Sequence, residues 1–311
     1  MENKNVPNME NENAPKRENI ADTINKYKTA TGQPVKENKK VVADALPHMP
    51  AFNPQEFERQ MSKETDPDLM TSYEIIQLPS KGLFYPNHLS EVSVEYMTSK
   101  DEDLLTTPSL IDSGNVLNLL LKRKIKTPGV NPDELLGGDR NAIILFLRTS
   151  SYGADYSVQV PDPRNGITFK SSVNLLQLKY KDFKEEPDEF GHFKVEIPMR
   201  KKVVTFRLLN SGEENIVYKK SEAIKNEYRA EYSEYSTMKL KAHIVAINEK
   251  TDRSYIDKFV DAMPALDAFT IRRKILEVAP DVDMAYEFVT KDGYKFTANL
   301  TIGVDFFFPN I

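Results

Sequence analysis

The chain has 311 residues, 40% hydrophobic and 29% charged, enough to bury one or two cores and with nothing of a fibre in its composition. A formal net charge of −5 argues against a surface built to neutralise nucleic-acid phosphate, and the lack of a long apolar run or leader pattern predicts a soluble chain with no membrane partner. Zero cysteines exclude disulfides, thiol nucleophiles and thiolate metal sites, and leave the redox compartment unreadable.

Residues 1–70 are rich in Asn, Glu, Lys and Pro, with too few apolar side chains to offset the entropy of ordering, so a disordered N-terminal arm is expected. Two stretches in it, Ile20 to Tyr27 and Pro54 to Met61, have the pattern of segments that become helical on a partner, with Phe57 and Met61 four apart as anchors. The arm is either a docking tether or a solvated tail.

Ile75, Ile76 and Leu78 approach Pro79, and Ser80-Lys81-Gly82 supplies a turn in which Gly82 takes positive φ cheaply. Leu83, Phe84 and Tyr85 then resume an extended run that stops at Pro86, and Val92, Val94 and Tyr96 alternate as a strand with one buried face. Ser99 precedes Asp101, Glu102 and Asp103, acids that suit a helix start near residue 100 and are expected to face water rather than bind metal. Leu104 and Leu105 give that helix its apolar face, Pro108 ends or restarts it, and Val116 to Leu121 make a second helix closing in Lys122-Arg123-Lys124.

A short helix is expected over 131 to 136, then a stop at Gly137-Gly138 with Asp139 as a new N-cap. The apolar run Ala142 to Leu147 predicts a central helix, followed by a hairpin from Tyr156 to Val160 and Ile167 to Val173 about the turn 161 to 166. Phe193 to Ile197 and Val203 to Leu208 alternate as a second hairpin, and 211 to 247 reads as helix, with Ser211 and Glu214 at capping-box spacing. Its Tyr218, Tyr228, Tyr232 and Tyr235 among mixed charges suit a partner-facing amphipathic helix better than a strand-binding platform. A helix follows Asp267 as cap, and Asp292-Gly293 marks a third hairpin between 286 to 289 and 294 to 300. Phe306, Phe307 and Phe308, as a strand, would present aromatics on both faces, to the fold or to another subunit.

These elements predict an α+β fold of helices with β-hairpins, in two related helix-hairpin halves, with copies at 139 to 178 and 267 to 302. The expected divisions are an arm at 1–70, a first half at 71–185, a hairpin and helical insertion at 186–255 and a second half at 256–311.

Leu78 to Gly82, Tyr85-Pro86, Met97-Thr98, Asp101 to Leu105, Pro108, Leu110-Ile111, Leu135 to Arg140, Arg148 and Ser151 to Gly153 together carry a resemblance. From about residue 72 onward the chain resembles the T4-type bacteriophage baseplate protein family, which includes a baseplate hub subunit and a hub assembly catalyst. Its motif and structural positions here are Pro79, Gly82, Pro86, Asp101, Asp103, Asp139, Arg140, Arg148 and Gly293. The resemblance also implies Cys-x-x-Cys-Gly knuckles at one or both hairpin turns, a spacing that lets two thiolates share zinc. Those turns read VPDPRNG and VTKDG here, so the expectation is turn geometry kept by proline and glycine, with no metal and no cofactor.

His48, His88, His192 and His243 are scattered, and neither a nucleophile elbow nor a phosphate-binding loop occurs. The resemblance implies a non-enzymatic protein that forms or assembles the hub of a contractile tail, in the virion baseplate or in the host cytoplasm during assembly. Its partners would be other tail and hub proteins or a second copy. Phe57, Met61, Phe84, Tyr85, Phe306, Phe307 and Phe308 are the candidate contact residues. A tail-associated cell-wall hydrolase and a nucleic-acid-binding virion protein are the alternatives.

Overall fold

Each extended segment pairs with the strand before or after it in chain order, so the computed structural model of the chain carries small antiparallel sheets joined by helices. It describes residues 72–308 except Phe183 and Ala230; Phe57, Met61 and every expectation placed on the arm lie outside those residues. Among the described residues are eight α-helices and nine strands, an α+β fold, and no helix is long and apolar enough to cross a membrane.

β1 (Tyr73–Gln77) pairs with β2 (Glu91–Glu95), whose Val92 and Val94 point into the core. Three helices follow: α1 (Ser99–Leu105), α2 (Pro108–Asp112) and α3 (Val116–Lys124). α4 (Gly137–Tyr152) then leads into the hairpin of β3 (Asp155–Pro161) and β4 (Thr168–Asn174). The same order recurs. β5 (His192–Ile197) and β6 (Lys202–Arg207) form a hairpin. After it come α5 (Ser211–Tyr228), α6 (Tyr235–His243), α7 (Arg253–Asp261) and α8 (Ala265–Val278), then the hairpin of β8 (Ala285–Val289) and β9 (Lys295–Asn299).

Several local expectations are corrected. Leu83 to Tyr85 is not extended: Leu83 N–H donates to the Ser80 carbonyl and His88 N–H to that of Tyr85, winding the segment into successive turns. The expected helix over 211 to 247 breaks at Arg229, which is left-handed at φ +49°, and ends at His243. Beyond it, the β-branched run β7 (Ile244–Ile247) pairs with β6, because sheet pairing buries Ile244 and Ile247. The cap of α5 is Asn210 with Glu213, one residue before the expected pair. Phe306 and Phe307 sit in a 3-10 turn, Val304–Phe307, not in a strand.

The main core gathers Val92 and Val94, Leu105, Leu120 and Leu121, Ile143 and Leu147, Val173, and Phe288 with Phe306 and Phe307. Both outer hairpins and the 3-10 turn therefore share one core with β1 and β2. A second core, around Val204, Ile247, Ile256, Val260 and Ile271, joins β6, β7, α7 and α8. Between them Leu136, Phe193, Phe206 and Val278 form a third, against which Phe84 and Tyr85 pack.

Candidate functional site

The turn that opens the motif block is fastened from below. Gly82 has φ +78°, and a Cβ there would stand 2.6 Å from the His88 carbonyl oxygen, so no other residue fits. Asp139 is fully buried in the first turn of α4; Ser80 N–H donates to its Oδ1 at 2.9 Å and the Tyr85 hydroxyl to its Oδ2. Tyr85 in turn accepts Leu136 N–H at 2.9 Å. Asp139 is thus not the expected N-cap, a place held by Leu136, but a clamp on a distant turn. Burial pushes its carboxyl above the usual range, against the hydrogen bonds from Tyr85 and Ser80; burial and Asp139 push the Tyr85 hydroxyl up as well.

Asp267 repeats the device. It stands third in α8, fully buried, and accepts Met199 N–H at 2.7 Å and Arg200 N–H at 3.2 Å from the turn of the β5–β6 hairpin. That turn reads Ile197-Pro198-Met199-Arg200-Lys201 beside Leu78-Pro79-Ser80-Lys81-Gly82, with left-handed backbone at Lys201 as at Gly82.

Asp101 is likewise buried, which corrects the expectation that it faces water. Its carboxylate meets buried Lys124 at 2.7 Å and Arg123 at 3.2 Å, and accepts the Thr98 N–H at 2.8 Å. Burial pushes its pKa up, but the bonds from Lys124 and Thr98 win and hold it below the usual range. The cap of α1 is Thr98, not Ser99. Asp103 stays at the surface, as does Pro86, whereas Pro79 is buried.

Arg148 is completely buried without a carboxylate. Its Nε donates to the Phe306 carbonyl at 2.8 Å, Nη1 to that of Gly153 at 2.8 Å and Nη2 to that of Asp155 at 3.3 Å, and Tyr152 and Tyr156 flank the guanidinium. Burial lowers its pKa, while its peptide acceptors replace water. Phe306 and Phe307 beside it are buried in the chain's own core and cannot serve as surface anchors; Phe308 is half-exposed and lines a cleft of about 540 Å³ between β3 and β9. Phe84 and Tyr85 are half-buried, with Phe84 6.1 Å from Phe193.

The two hairpin turns that lack thiolates meet each other. Arg164 Nη2 donates to Asp162 Oδ2 at 2.7 Å, while Nη1 and Nη2 reach Asp292 at 2.8 and 3.0 Å, and the guanidinium lies 4.3 Å from the Tyr294 ring. These bonds depress both carboxyls and raise the guanidinium. Gly293, at φ +85°, closes the second turn. Sequence singled out the turns but not Arg164, which nothing in local spacing tied to Asp292. Among the described residues no group of three or more His, Asp or Glu is placed to hold a metal ion.

One feature went unread in the sequence: an open polar cleft of about 280 Å³ lined by Asn115, Asn118, Asp133, Arg140, Glu214 and Tyr218, among others. It lies where α3 and α4 meet α5 and α6, so its walls come from stretches far apart in the chain.

The family model described as T4 bacteriophage base plate protein matches residues 70–307. The chain belongs to that family. No curated protein and no solved structure matches it. The match spans the clamped turns, both outer hairpins and the buried Phe306 and Phe307, so every described residue of this base plate protein except Phe308 falls within it.

Proposed function

We propose that this base plate protein forms or assembles the baseplate hub of a contractile phage tail through protein–protein contacts and without chemical turnover. The family match over 70–307 carries the proposal. The described surface supports it, since Tyr73, Ile75, Leu176, Phe190, Tyr228 and Tyr232 are each more than half exposed, the kind of large apolar side chain that anchors a contact within a polar rim. It would act in the virion baseplate, or in the host cytoplasm while subunits are gathered.

Mass spectrometry of purified particles, beside affinity recovery from infected lysate, separates the variants. A fixed copy number in particles is the expected result for a hub component; absence from particles with hub proteins recovered identifies an assembly factor. Absence from particles without any tail protein recovered refutes both. Release of sugars from purified cell wall by the protein would instead support the hydrolase alternative.

A further inference from the structure

We propose that the polar cleft around Arg140 is a receptor for a single carboxylate side chain of a partner protein, bound bidentately by the Nε–Nη2 edge of that arginine. This rests on the reading of the chain as a protein-binding baseplate component.

Arg140 is anchored by one end only. Its Nη1 donates to Asn118 Oδ1 at 3.2 Å and to the Pro132 carbonyl at 3.4 Å. Among the described residues Nε and Nη2 have no protein acceptor, and no carboxylate lies within ion-pair distance of the guanidinium. Neither nitrogen is among the sealed polar atoms without a partner, and Arg140 is one of the residues that line the cleft. The free edge is the one whose two parallel N–H groups match the oxygens of a carboxylate. Arg140 is half-buried, and burial lowers its pKa against the pull of Asp133 and Glu214.

The charges around the cleft fit one anion. Asp133 and Glu214 attract Arg140 from a distance, but Asp133 is paired with Lys122 at 2.9 Å and Glu214 with Lys239 at 2.9 Å, so three cations face two acids and one positive charge is left over. A single carboxylate cancels it, whereas a phosphate dianion would overshoot. Size points the same way. At about 280 Å³ the cleft has room for one inserted side chain. Tyr218 and Tyr235, edge to face with centroids 5.8 Å apart, offer an apolar wall to the methylenes of a glutamate.

The test titrates the full 311-residue chain with N-acetylglutamate N-methylamide, its glutamine counterpart and inorganic phosphate, following the Arg140 Nε–H and Asn118 side-chain amide signals by NMR. The acid should move both signals saturably, with binding at least about tenfold tighter than the amide, because only the acid makes the charged fork. Arg140→Lys keeps the charge without the fork and should weaken the acid by at least about tenfold. Equal responses to acid and amide, or no saturable response, would overturn the proposal. Tighter binding of phosphate than of the acid would overturn it too. If Arg140→Lys does not fold, the three titrations of the unmodified chain decide. The particle and lysate experiment bears on the baseplate role alone, so the two readings fail separately.

Discussion

A buried acid can strengthen or weaken a fold as pH changes, and this protein contains both cases. Asp101 titrates below the ordinary carboxyl, so its contribution is present above the unfolded value of about 3.9 and is lost as pH falls through the folded one. Asp139 titrates above the ordinary carboxyl, so its contribution is full below about 3.9 and is lost as pH rises through its folded value. In urea unfolding across pH 3 to 7, the stability gap between native protein and Asp101→Asn should widen with rising pH, and the gap to Asp139→Asn should narrow; slopes of the same sign would refute the assignment. Asp101→Ala also strips buried Lys124 of its nearest acid and should cost about 3 kcal/mol, eased by Glu95 at 3.0 Å from the ammonium. Tyr85→Phe leaves Leu136 N–H without its acceptor and Asp139 Oδ2 without the Tyr85 donor, a loss of about 1–3 kcal/mol by the same assay. A loss under half a kilocalorie would mean that water replaces the hydroxyl.

Each outer hairpin is a two-stranded ribbon, marginal alone, and the Arg164 bridge ties their tips together where both are exposed. Arg164→Ala should speed amide exchange at 162 to 166 and 290 to 294 while leaving α4 unchanged. Because Asp162 and Asp292 both titrate low, the unmodified protein should lose the same protection only as pH drops well below about 4. Protection at the tips that ignored both the substitution and acid would show that the bridge restrains nothing. The hairpins themselves were legible because Asp292-Gly293 and the alternation of 156 to 160 are local signals. The central helix and the lysine-rich end of α3 were legible for the same reason. What could not be read was whatever distance in the chain conceals. Asp101, Asp139 and Asp267 look like helix-start acids in sequence, and only partners far along the chain make Asp139 and Asp267 clamps. β7 likewise continues a helical pattern until β6 offers it an edge, and the Arg140 cleft joins α3 and α4 to helices 70 residues or more away.

Across the molecule, the order of hairpin, helices, Asp-clamped helix and hairpin runs from Tyr73 to Asn174 and again from His192 to Asn299. The parallel in element order is longer than the one anticipated from 139 to 178 and 267 to 302, since a hairpin and three helices precede the Asp-clamped helix in each run, with β7 added in the second. Both runs contribute to the main core, where Phe288 and Phe307 lie with Val92 and Leu147, and the second core, wholly within the second run, packs through the third cluster onto the first run's Leu136. A single calorimetric transition is therefore expected for the body, and Phe307→Ala should shift all of it, at a cost of about 3–5 kcal/mol. Two resolved transitions, with only one moved, would contradict a shared core.

The fastening of the Phe306 carbonyl to Arg148 has a consequence for how the protein is made. The ribosome delivers the β1–β2 strands long before Phe306 and Phe307, the wall that seals them. At about 5–20 residues per second, the growing polypeptide spends many seconds with Val92, Ile143 and Leu147 uncovered before Phe307 is free to close over them. A prematurely terminated product lacking that segment would keep its greasy interior open to proteases and chaperones.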